Sequence, residues 1–150
     1  MKHKIGICCL LMAASLAILT AIAHFSCIFL GPGCYEAQLA PPMIVNSAEQ
    51  GTWIAPVATV LASLLFIVIA LFPLSRAGFL RPLPLLRQGI IVLSIVCLLR
   101  GILTIQLKVR HPEAVDLVNL SMGLGWFAAG LFLWCGHRFS DRIDRAEKAS

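Results

Sequence analysis

Four long apolar runs alternate with short polar stretches along this chain: Ile5–Leu30, Trp53–Ser75, Gln88–Leu107 and Leu117–Gly136. A bilayer core about 30 Å thick is crossed by about 20 mostly apolar helical residues, and each run has that length. The pattern predicts an all-α membrane protein, an antiparallel four-helix transmembrane bundle forming a single integral membrane domain over residues 1–150. The expected spans are about 5–30, 53–75, 88–107 and 117–136, with an extracytoplasmic loop 31–52 and a cytoplasmic tail 137–150.

The residues between the runs supply the stops. Gly31-Pro32-Gly33 ends the first helix, because Pro cannot continue it and Gly tolerates the turn. Pro41-Pro42 predicts a stiff, extended piece of the first loop. Ser47-Ala48-Glu49-Gln50 has the spacing of a capping box and predicts a helix beginning near Ala48. Trp53 suits an interfacial anchor, Pro56 sits in a first helical turn and Pro73 near the end of the second run. Gly78, Pro82 and Pro84 keep the linker Arg76–Arg87 out of helix, and Pro112 breaks the last short loop. The first run also reads as a cleaved signal peptide, since Ala21-Ile22-Ala23 is a small-x-small site. Apolar character continues through Phe25, Ile28, Phe29 and Leu30, which favours a retained first span.

Composition agrees: 59% of residues are hydrophobic, only 13% are charged, and the mean hydropathy is +0.91. A soluble domain would be about a quarter charged. The net charge of +5 matters less than its placement. Lys2, Lys4, Arg76, Arg81, Arg87, Arg138, Arg142, Arg145 and Lys148 fall on one side of the four spans, and only Lys108 and Arg110 on the other. The positive-inside rule then puts both termini in the cytoplasm of a bacterial inner (plasma) membrane protein. In the polar tail, Asp141 with Arg145 and Arg138 with Arg142 have the four-residue spacing of helical neighbours. No nucleic-acid partner is expected, because the basic residues form no surface interleaved with aromatics.

One charge interrupts a span. Arg100 lies roughly 18 Å from the Gln88 end of its run by helical rise. A cation at such depth costs about 2.5 to 3.5 kcal/mol on insertion scales and normally faces partners. It is read either as a structural lock on helix ends and carbonyls, as a binder of an anionic or carbonyl-bearing ligand, or as snorkelling to headgroups. In the predicted orientation His24, Arg100 and Asn119 fall in the outer half of their spans, with Glu36 and Glu49 over the same face. These five form the candidate polar intramembrane site, able to hold a headgroup or a quinone carbonyl. The alternative is that each group merely satisfies another across helices, at about 0.6 kcal/mol apiece.

Other residues add less. Ser121, Gly125 and Ala129 recur every fourth residue and allow close helix approach, either within the bundle or toward a second copy or another membrane protein. Trp126 and Trp134 lie on another face of that run. Cys27 and Cys34 flank the Gly31-Pro32-Gly33 turn and are a candidate disulfide on an oxidising side. The cysteines form no CxxC, so neither a zinc or other metal site nor a thioredoxin-type redox pair is suggested, and no cofactor is expected. No nucleophile–base set, HExxH or phosphate loop is present to suggest catalysis.

Three short motifs carry a resemblance: Ala23-His24-Phe25, Ala55-Pro56-Val57-Ala58-Thr59 and Leu98-Leu99-Arg100-Gly101-Ile102. Together they resemble a family of small, uncharacterised bacterial four-helix integral membrane proteins classed as a domain of unknown function. The chain differs from that pattern at Ser26-Cys27, where the family has Trp, and at Thr104-Ile105, where it has Asp. The resemblance implies the four-helix fold and directs attention to His24 and Arg100, and it implies no chemistry. The function expected is that of a small polytopic membrane protein, non-enzymatic, binding lipid or a partner protein. The alternatives are a small transporter or channel-like subunit using Arg100 and His24, or a membrane enzyme acting on a lipid or quinone.

Overall fold

The computed structural model describes residues 2–147, with side chains described for residues 4–113 and 115–140. The spacing pairs Asp141–Arg145 and Arg138–Arg142 therefore lie outside the described side chains. Among the described residues the chain is all helical. It has α1 (Lys2–Leu30), α2 (Pro32–Ala37), α3 (Pro42–Glu49), α4 (Ile54–Arg76), α5 (Leu86–Arg110) and α6 (Leu117–Glu147), with a 3₁₀ turn at Pro112–Ala114. Helices α1, α4, α5 and α6 are each long and apolar enough to cross a membrane.

Their packing is inverted relative to a water-soluble protein. Phe29, Leu61, Leu65, Val92 and Leu103 stand exposed, while Ala13, Ala14, Ala17, Ala21, Ser94 and Cys97 are buried. Large apolar side chains turned outward over small buried ones suit a lipid surround, where close backbone approach drives helix association. The chain thus has the makeup of a multi-pass membrane protein.

The residues group into two compact units, one of residues 1–16 and 69–150 and one of residues 17–68. The first unit is organised by α5 and α6, joined through the 3₁₀ turn. Lys108 Nζ donates to the carbonyls of Pro112 and Val115, both at 2.7 Å, and so ties the turn to the end of α5. Asp116 Oδ1 accepts from the Asn119 backbone N–H at 2.7 Å and caps the start of α6.

The two helices then run antiparallel at backbone contact. A Cβ on Gly123 would lie 2.5 Å from Thr104, one on Gly101 2.5 Å from Phe127, and one on Gly130 2.7 Å from Leu98. The buried Ser94 Oγ donates to the Gly130 carbonyl at 2.8 Å across this seam. Beside it Ala13, Ile90, Cys97 and Leu133 form a core flanked by Phe72, Leu93 and Trp126. The beginning of α1 reaches α6 through Gly136, whose added Cβ would lie 2.6 Å from Leu10. The linker Arg76–Arg87 is non-helical over residues 77–85, as its Gly and Pro residues require. Ser75 Oγ holds it by donating to Arg81 O at 2.9 Å and accepting from Leu83 N at 3.2 Å.

Two expectations are corrected here. Gly123, Phe127 and Gly130 meet α5, whereas Ser121 is exposed and a Cβ on Gly125 would meet nothing within 4 Å. At about 100° per residue the two sets fall on nearly opposite sides of α6, so only Ala129 of the expected stripe is buried. Ser47 does not begin a helix: α3 ends at Glu49, and the helix starts instead at Pro42, where a fixed φ suits the first turn. Helix α6 continues past Gly136 into the polar tail, through Glu147.

The seam yields a stability test. Gly130→Ala forces the α5 backbone away and is expected to destabilise the protein by about 1 to 3 kcal/mol. Gly125→Ala is expected to be neutral or to stabilise by up to about 1 kcal/mol through helix propensity. Thermal unfolding in mild detergent distinguishes them, and equal loss in both variants contradicts the seam.

Candidate functional site

The second unit builds a cleft from the end of α1, the short helices and the first half of α4. Helix α1 stops because Gly31 adopts φ 82°, a left-handed conformation that favours glycine. Pro32 then starts α2, which carries Cys34 back to Cys27, and the two sulfurs are joined in a disulfide with Cα atoms 5.2 Å apart. A cross-link closing so small a loop restricts the unfolded chain by about 2.5 kcal/mol in the chain-entropy model. Four residues beyond Cys34, Gln38 Nε2 donates to the Ala23 carbonyl at 2.8 Å and to Cys27 Sγ at 3.0 Å. The Ala23 carbonyl, inside α1, also accepts from Ser26 Oγ at 2.9 Å.

Helix α3 is fastened to α4 by Ser47. Its buried hydroxyl lies 2.6 Å from Thr52 Oγ1 and accepts from the Ala55 backbone N–H at 2.9 Å. That N–H belongs to the first turn of α4, which has no intrahelical acceptor for it. Cys27, Tyr35 and Ala55 form a small core here, with Ile44, Val45 and Ala48 against it. Thr59, one turn into α4, donates to the Ala55 carbonyl at 2.7 Å and reaches the Tyr35 phenol oxygen at 3.3 Å.

Between these elements lies a cleft of about 290 Å³. Its walls are largely apolar, from Leu39, Ala40, Pro41, Ile44, Ala58 and Ala62, and His24, Tyr35, Gln38 and Thr59 supply the polar groups. Cys27 also lines it. Tyr35 is only 6% exposed. Thr59 Oγ1 stands within donating distance of both oxygens, with the Ala55 carbonyl the closer. Apolar walls with a few convergent polar groups suit a molecule with an apolar body and one polar head.

Of the five polar residues expected to form a site, only His24 lines this cleft, half-buried with its ring edge-on to Phe66 at 5.1 Å. Glu36 and Glu49 are exposed on α2 and α3. Arg100 and Asn119 belong to the other unit. Arg100 is exposed on α5 with its guanidinium 5.9 Å from the Trp126 ring centroid, a cation–π contact. The α5 face turned to α6 is occupied by Ser94 and Gly101 instead. Asn119 is half-buried in the first turn of α6, and its backbone N–H is bound by Asp116. Among the described residues no three His, Cys, Asp or Glu side chains are grouped to hold a metal ion.

Sequence reasoning passed over Tyr35, Gln38 and Thr59. The chain's single Tyr lies immediately after Cys34, and Gln38 sits one helical turn beyond that cysteine. The disulfide pairing, once assumed, brings both back to α1. Thr59 carries no such mark, because a hydroxyl in an apolar helix commonly bonds its own preceding turn.

Comparison with known proteins matches this chain to no family model, no curated protein and no solved structure.

Proposed function

We propose that this chain is a small multi-pass protein of a bacterial inner membrane, with both termini in the cytoplasm, and that it binds a membrane lipid in the cleft of residues 24–62. The observation that carries this reading is the cleft itself: a mostly apolar cavity of about 290 Å³ with the buried Tyr35 hydroxyl beside it. Orientation is supported by the nine Lys and Arg residues on the side of the termini and the lack of any in residues 31–52. The Cys27–Cys34 disulfide agrees, because such bonds persist on the oxidising side of the membrane. In this reading Arg100 is a cation on the lipid-facing surface, steadied by Trp126 and able to snorkel toward headgroups.

Native mass spectrometry of protein in mild detergent tests the cleft. Wild type is expected to carry a discrete lipid adduct that Ala62→Trp, which fills the cleft, reduces at least tenfold, while Arg100→Leu retains it. An adduct equally abundant on wild type and Ala62→Trp sinks the reading.

Orientation has its own check in spheroplasts of a variant lacking Cys8, Cys9, Cys97 and Cys135. A membrane-impermeant maleimide should label Cys27 and Cys34 only after an impermeant phosphine reductant is added. Labelling that requires permeabilised membranes places these residues inside and reverses the orientation.

A further inference from the structure

Cys27, one half of the disulfide, is part of the cleft wall. The geometry points to a redox site: the Cys27/Cys34 pair passes two electrons to a para-quinone lipid whose ring is seated in the cleft. This rests on the lipid-binding reading above and names the class of lipid.

Four observations converge. Cys27 is among the residues that line the cleft, and it is 1% exposed. Cys34 is already at bonding distance from Cys27, the position a resolving thiol needs. Gln38, itself a lining residue, donates from Nε2 to Cys27 Sγ at 3.0 Å and so ties that sulfur to the cleft wall. Tyr35, whose phenol is a donor as well as an acceptor, is buried and lines the same cleft. The ring carbonyls of a quinone are the acceptors that such a donor serves, and an isoprenoid tail suits the exposed apolar faces of α1 and α4 at Ile22, Phe25, Leu61 and Leu65. The volume of about 290 Å³ admits one substituted ring and little more.

The step balances within the pair and the quinone. In the reduced protein the Cys27 thiolate attacks a ring carbon, forming a C–S bond and moving an electron pair onto the ring oxygens. Cys34 then attacks Cys27 Sγ, the S–S bond closes, and the C–S bond breaks with its pair going to the ring. Sulfur loses two electrons, the ring gains them with the two thiol protons, and the products are a disulfide and a hydroquinone. Thiolate attack and displacement at sulfur are the ordinary course of disulfide chemistry. Cys8, Cys9, Cys97 and Cys135 remain free thiols and lie outside the cleft lining.

The test uses full-length protein with Cys8, Cys9, Cys97 and Cys135 replaced by Ala, reduced, freed of reductant and held without oxygen in detergent. A short-chain ubiquinone analogue is added in excess, quinone loss is followed by absorbance, and remaining thiols are counted. One hydroquinone per protein with loss of both thiols is expected. Cys34→Ser should produce no hydroquinone, and Ala62→Trp or Ala58→Leu should slow the reaction at least tenfold. Because two cleft variants are used, a folding failure in one leaves the other decisive. Binding of the quinone, read by native mass spectrometry, with both thiols retained overturns the electron transfer while leaving lipid binding intact. No quinone binding, together with no lipid adduct on the purified protein, overturns both. Oxidation at the same rate in wild type and both cleft variants also overturns the proposal, since it shows reaction outside the cleft.

Discussion

One buried hydroxyl holds the arrangement of the second unit together. Ser47 closes the end of α3, engages Thr52 and accepts the Ala55 N–H, so a single side chain joins three stretches of backbone. Without it, the first turn of α4 would bury an unbonded N–H, a loss of about 1 to 3 kcal/mol. Helix α3 would also lose its attachment, and with it Pro41 and Ile44, which form one wall of the cleft. The opposite wall depends on a second tether, the Cys27–Cys34 bond with Gln38 folded onto Ala23. A segment of about twenty residues between two spans would otherwise gain little from ordering, because fixing each residue costs about 1 to 2 kcal/mol. Two local tethers and one small core make order affordable there.

The first unit uses a different physics. Its α5–α6 seam has no room for side chains at Gly101, Gly123 and Gly130, and backbone contact replaces the large apolar core that water would otherwise drive. The same tight seam explains why Arg100 sits outside it. A guanidinium cannot enter a contact where even a methyl group collides, so the helix presents Arg100 at its surface, over the Trp126 ring.

The four long helices were legible because each is announced by an apolar run of membrane-crossing length: α4 and α5 begin and end within a few residues of those runs. Breakers were legible too, with Gly31 and Pro32 separating α1 from α2. The side of a helix that packs was harder to read. Ser121-Gly125-Ala129 and the pair Gly123 and Gly130 both offer small residues at helical spacing, and only the partner helix decides between them. The capping-box pattern at Ser47 misled for a related reason, since a serine near a helix end serves either the helix that follows or, as here, the one before it and the next span together. Polar residues attracted attention in proportion to their charge. The cleft instead relies on Tyr35, Gln38 and Thr59, uncharged groups whose meeting depends on a disulfide and a chain reversal that spacing alone leaves open.

Photolabelling addresses the cleft most directly. Purified protein would be irradiated with a diazirine-bearing lipid and its peptides mapped by mass spectrometry. Binding in the cleft requires label concentrated in residues 35–44 and 58–62, and competed by unlabelled lipid. Label spread evenly over the exposed faces of all four long helices, unaffected by competitor, would contradict it.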